Sequence, residues 1–163
     1  MVLPDGPRDI EAMYVLPTEQ IFVVTRGRNH PVTIYRYPPP LRSEEVVTLV
    51  EVQRLTTGPV RRARMVTGAS ATLDGSTVAI RTYETLEFFA VTVGERLLES
   101  DLGPVDLRAL REGQGEGVGF GANGTIVLTS ESARGVGPSL TFLSCNLDPA
   151  ELDQSEPTQG PPA

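Results

Sequence analysis

The sequence predicts an all-β protein: about three antiparallel four-stranded blades of a β-propeller, half of a six-bladed ring, with the last blade incomplete. Three observations carry that expectation. An internal repeat runs at close to blade length, hairpin dipeptides recur at matching places inside it, and the runs between turns are β-branched and of strand length.

The repeat aligns three segments. Asp9–Val15, a turn at Leu16–Gln20 and Ile21–Thr25 form the first. Thr67–Thr72, a turn at Leu73-Asp74-Gly75 and Val78–Thr82 form the second. Gln114–Phe120, a turn at Ala122-Asn123-Gly124 and Ile126–Ser130 form the third. The starts, Asp9, Thr67 and Gln114, stand 58 and 47 residues apart, and roughly 40–50 residues make one propeller blade. Asp74-Gly75 and Asn123-Gly124 are expected to close type I′ turns, since both residue types tolerate positive φ.

Each hairpin is followed by a third-strand run: Val32–Tyr37, Leu86–Val91 and Leu140–Ser144. Pro38-Pro39-Pro40 ends the first of these, having no amide hydrogen to donate. Fourth strands are expected at Val46–Val52 and Val105–Leu110. Val46, Leu49 and Val50 would also share one helical face, and β-branched content decides for strand. The resulting organisation is a partial propeller over 1–147, with blades at about 9–55, 66–111 and 114–147. Residues 148–163 hold four prolines and four acids with little apolar content, which predicts a disordered tail.

Composition narrows the function classes. Glycine and proline together make 30 of 163 residues, the level of a turn-rich globular chain. A net charge of −7 argues against a nucleic-acid partner, because phosphate binding needs clustered cations. The one basic cluster, Arg61, Arg62 and Arg64, reads as a solvated loop or as an anion contact. Single copies of His30 and Cys145 remove Cys/His zinc sites, His-paired nucleophiles and an internal disulfide. No run approaches the ~20 apolar residues of a membrane span, and Met1–Gly6 lacks the pattern of a signal peptide.

Three blocks carry a family resemblance. Leu3–Ala12, Val66–Ala69 with Arg81-Thr82-Tyr83, and Gln114–Gly117 resemble bacterial TolB/WD40-like β-propeller proteins, mostly of uncharacterised hypothetical or secreted type. The resemblance spans about residues 3 to 147, and its blocks fall at blade starts. It departs at Ala69-Ser70, where that family favours Ala-Asp. It implies the C-terminal half of such a protein, with missing N-terminal blades elsewhere and a periplasmic or secreted location for the whole. It implies no reaction.

The repeat places Asp9, Glu11, Gln114 and Glu116 at equivalent positions just before the first strand of a blade, and the innermost strand lines a propeller channel. Carboxylates and a carboxamide converging there would suit a hard cation such as Ca²⁺, which takes 6–8 oxygen ligands. Arg81, Thr82 and Tyr83, with Ser130 and Glu131, end second strands and are candidates for ligand contact at the same mouth. A structural reading stands beside this one: Glu11 and Glu116 pair with Arg81 or accept backbone hydrogen bonds and stitch blades together. Gly119-x-Gly121-x-x-Gly124 has dinucleotide-binding spacing, but a β run follows where a helix is required. Glycines 115, 117, 119 and 121 fit close packing near the axis instead. His30 reads as an exposed loop residue and Cys145 as a buried inert thiol.

The leading functional expectation is a non-enzymatic propeller segment that serves protein interaction or ligand binding, with no required cofactor. The alternative is a metal-dependent hydrolase or lactonase of propeller type using Asp9, Glu11 and Glu116. Open edges add a homodimer as an expected partner state, since unpaired strand groups invite association.

Overall fold

The computed structural model describes residues 1–122 and 124–145. Among these described residues twelve strands form three antiparallel sheets. Blade 1 holds β1 (Ile10–Val15), β2 (Ile21–Thr25), β3 (Thr33–Arg36) and β4 (Val50–Arg54) in sequential order. Blade 2 holds β5 (Val66–Ala71), β6 (Thr77–Thr82), β7 (Thr85–Val91), β8 (Leu97–Glu99) and β9 (Val105–Asp106). Its outermost strand is split, because β8 and β9 both pair with β7. Blade 3 comprises β10 (Gln114–Phe120), β11 (Thr125–Glu131) and β12 (Ser139–Ser144). The innermost strands β1, β5 and β10 pack side by side around a shared axis, the radial arrangement of a β-propeller. No helix among the described residues is long and apolar enough to cross a membrane.

Two apolar cores hold the blades face to face. Between blades 1 and 2 lie Tyr14, Phe22, Val24 and Ile34 against Val66, Val78, Ile80, Phe89 and Leu97. Tyr14 and Phe22 stack with ring centroids 4.9 Å apart. Between blades 2 and 3 lie Ala79, Leu86, Phe88 and Leu107 against Ile126 and Leu128. Each large side chain buried in this way contributes roughly 1.5–3 kcal/mol. The alternation within each strand sends one residue set to each neighbour, so a middle blade must be apolar on both faces. The two outer faces lack that cover. Met13 and Val15 of blade 1 and Leu140 and Phe142 of blade 3 are exposed. Part of blade 1's outer face is closed by its own N-terminal segment: Leu3 packs on Val23, Tyr35 and Leu49, and Tyr35 donates its hydroxyl proton to Asp5 at 2.9 Å.

Some sequence expectations differ from the structure in detail. A bulge interrupts the first hairpin of every blade, skipping Glu11, Thr67 and Glu116. Thr67 is therefore the counterpart of Glu11 and Glu116, two positions off the alignment that paired it with Asp9 and Gln114. The turn at Asp74-Gly75 is not type I′, since only Gly75 has positive φ (72°). Asp74 instead accepts bonds from the Ser76 amide (3.0 Å) and the Thr72 hydroxyl (2.6 Å), fixing a turn closed by the Gly75 amide on Thr72 O. Gly124 likewise has φ of 71°, and Asn123 lies outside the described residues. The fourth strand of blade 1 begins at Val50 rather than Val46. Leu97–Glu99 is a strand the sequence reading missed, and Arg108–Leu110 is a 3-10 turn rather than part of one. Three residues are too short for a periodic signal, and Pro104 interrupts the outer strand by lacking a donor. The predicted tail at 148–163 lies outside the described residues.

Candidate functional site

The polar residues gather at one end of the blades, where β1, β5 and β10 begin and the β2–β3 and β6–β7 connections turn back; this is here the upper face. Register makes equivalents of Thr25, Thr82 and Ser130, opposite Ile10, Val66 and Gly115. The residues that follow them, Arg26, Tyr83 and Glu131, thus occupy one place in three blades.

Two of the three join across the blades. Arg26 donates from Nη1 to Glu11 Oε1 at 2.6 Å and from Nη2 to the Tyr83 hydroxyl at 2.5 Å. Two guanidinium groups approach the Tyr83 ring, Arg26 at 5.8 Å and Arg62 at 5.7 Å from its centroid, within cation–π range. Burial works against the Arg26 charge, but Tyr83 and Glu11 outweigh it and hold its pKa above the ordinary guanidinium value. Glu131 stands opposite Gln114 at the exposed end of β11.

Arg81 does not reach the mouth. Its side chain is 0% exposed and turns into the junction with blade 3. There Nη1 donates to Gly117 O at 2.8 Å and Thr129 O at 3.0 Å, and Nη2 donates to Glu112, whose side chain is only 6% exposed. Burial pulls the Arg81 pKa down, opposed by Glu112 and Glu116. Arginine still keeps its proton at any working pH. Glycine at 115 makes room for this pair: a Cβ there would overlap Arg81 Nη2 and come within 2.7 Å of Glu112 Oε2. Gly68 similarly lets β5 approach β10, since its Cβ would lie 2.5 Å from Glu116 O. Gly119, by contrast, has open space around it.

The other expected site residues are placed as follows. Asp9 borders a 210 Å³ hollow with Arg8, Arg28 and the exposed His30. Gln114 donates from Nε2 to Glu116 Oε1, and its amide donates to Ser130 Oγ at 3.2 Å. Thr82 closes the β6–β7 turn through the Thr85 amide at 2.9 Å. Among the described residues no three His, Cys, Asp or Glu side chains are grouped so as to hold a metal ion. Cys145 is half-buried against the second core, and burial raises its pKa.

A larger hollow of 430 Å³ opens on the upper face between blades 2 and 3. Tyr83 and Gln114 line it, together with residues the sequence reading did not single out as a group: Arg62, Arg111, Arg134 and Glu112. Arg26 was within reach of the repeat, as the blade 1 counterpart of Tyr83. Arg111 and Arg134 come from separate connections and converge only through folding, so no spacing announces them.

These features define a β-propeller with a polar upper face. The chain matches the PQQ-bound form of an aldose sugar dehydrogenase from Streptomyces coelicolor with a TM-score of 0.51 and 12% identity, covering 82% of this chain and 42% of that one. It also matches a protein from Lactobacillus plantarum with a TM-score of 0.47 and 10% identity, over 87% of this chain and 45% of that one. At such identity the first likeness shows the fold alone. The chain spans less than half the length of these solved structures. No family model matches the sequence, and no curated protein does.

Proposed function

We propose that the chain is a non-enzymatic scaffold segment of a TolB/WD40-like propeller, presenting its upper face to a ligand or a protein partner. The observation that supports this most is the use made of the polar groups near the axis. Glu11, Arg26 and Tyr83 tie blade 1 to blade 2, and Arg81 and Glu112 tie blade 2 to blade 3. Groups already bound to one another across blades serve cohesion rather than turnover. The exposed apolar faces of blades 1 and 3 support completion of the ring by further blades, supplied by a partner chain or a second copy.

Thermal unfolding with and without millimolar calcium tests the reading. The scaffold predicts melting temperatures that coincide under the two conditions. A calcium-dependent rise that Glu116→Gln removes would overturn it in favour of the metal-dependent hydrolase or lactonase.

A further inference from the structure

We infer that the hollow between blades 2 and 3 binds a small anion that also carries a hydroxyl group, either a hydroxycarboxylate or a hydroxyl-bearing phosphate monoester. The inference rests on the scaffold reading and names the ligand class its upper face takes.

The distribution of charge is the first observation. All fourteen cationic side chains of this chain are arginines, and eight of them have an acidic partner. Of the six without one among the described residues, three line this single hollow: Arg62, Arg111 and Arg134. In a chain of net charge −7 such a gathering of unpaired cations runs against the overall balance. Like charges brought together repel, and a bound anion offsets that repulsion through bidentate, charge-assisted hydrogen bonds. Arg108, also on the rim, is engaged by Asp106 at 2.9 Å; against the carboxylates of Glu84 and Glu112 in the same lining, Arg62, Arg111 and Arg134 still leave an excess of cationic donors.

The second observation is Glu112. Its side chain is 6% exposed, it forms part of the lining, and while Oε2 holds Arg81, Oε1 has no hydrogen-bond partner. A buried carboxylate oxygen without a donor is costly. An anionic ligand group cannot satisfy it, but a hydroxyl on the same ligand can. Leu107, Ala63 and Tyr83 supply surface for the carbon skeleton between the two, and the volume of 430 Å³ lies in the ordinary range for small-molecule sites.

Isothermal titration calorimetry on the full chain tests this with two matched pairs: malate against succinate, and glycerol 1-phosphate against ethyl phosphate. The hydroxyl-bearing member of at least one pair is expected to bind saturably and more tightly than its partner. Which pair responds distinguishes the carboxylate from the phosphate. Arg111 and Arg134 have left-handed φ of 51° and 55°, so Arg111→Gly and Arg134→Gly remove the guanidinium while the backbone keeps its conformation. Each is expected to weaken binding at least tenfold, with circular dichroism unchanged. Arg54→Ala, whose side chain pairs with Glu51 on β4, should leave affinity as it was.

No saturable binding of any of the four compounds would overturn the inference, as would affinity unchanged in both glycine variants. Equal affinity within each pair would remove Glu112 from the site and the ligand class with it. None of these results alters the calcium comparison, so failure here falls on the ligand class and not on the scaffold reading.

Discussion

Removing the Glu112 carboxylate should strip Arg81 of the counter-charge hydrogen-bonded to it at the blade 2–3 junction, leaving only the more distant Glu116. The guanidinium is fully buried, and its two carbonyl acceptors, Gly117 O and Thr129 O, carry no net charge. Breaking a buried pair from one side leaves an uncompensated charge and costs about 3–5 kcal/mol, against a total stability of roughly 5–15 kcal/mol for a domain of this kind. Glu112→Ala is thus expected to lower the melting temperature by roughly 6–20 °C. Urea unfolding gives the free energy, and amide hydrogen exchange should show the loss concentrated in β10 and β11. The paired variant Arg81→Met with Glu112→Leu removes both charges and keeps the volume, and it should be clearly less destabilised than Glu112→Ala alone. A loss below about 1 kcal/mol for Glu112→Ala, the size found for exposed pairs, would refute the claim that this pair is buried and structural.

Two further outcomes follow from the same geometry. Gly115→Ala forces a methyl group onto Arg81 and Glu112, so it should destabilise by several kcal/mol in urea titrations; a near-neutral effect would mean the junction is looser than described. Asp5 is desolvated, yet bonds from Arg8 and Tyr35 outweigh that and hold its pKa below the ordinary 3.8. Its stabilisation is therefore complete above the ordinary value and lost as pH falls through the lowered one. The melting temperature should drop more steeply below pH 4 in the parent chain than in Asp5→Asn, and parallel profiles would remove Asp5 from the N-terminal clamp.

Local chemistry made most of the strands legible. β2 and β10 lie where the β-branched and glycine-spaced runs predicted them, and β6, β7, β11 and β12 begin or end within a residue of expectation. The misses have local causes. β8 is three residues long, a length at which period-2 alternation cannot be detected, and β9 covers only the first two residues of the expected Val105–Leu110 strand. The second repeat lies two positions out because Thr67 lacks the carboxylate of its bulge counterparts Glu11 and Glu116, which would have aligned it. Among the site residues, Tyr83 and Gln114 could be picked out as strand-end polar groups of a repeat, whereas Glu112 could not, since its importance lies in Arg81, which approaches it from another blade.

From the sequence by itself came the all-β class, the blade-length period and the concentration of polar residues at blade starts, because turn chemistry and side-chain alternation are local properties of the chain. Tertiary structure alone decided which polar groups are partners. Arg81 could have faced the channel or the neighbouring blade, and only the packing of β10 on β5, which Gly68 allows, together with the space left at Gly115, turned it onto Glu112. The convergence of Arg62, Arg111 and Arg134 has the same origin: three distant connections meet where two blades pack, and the distance between them is set by the packing.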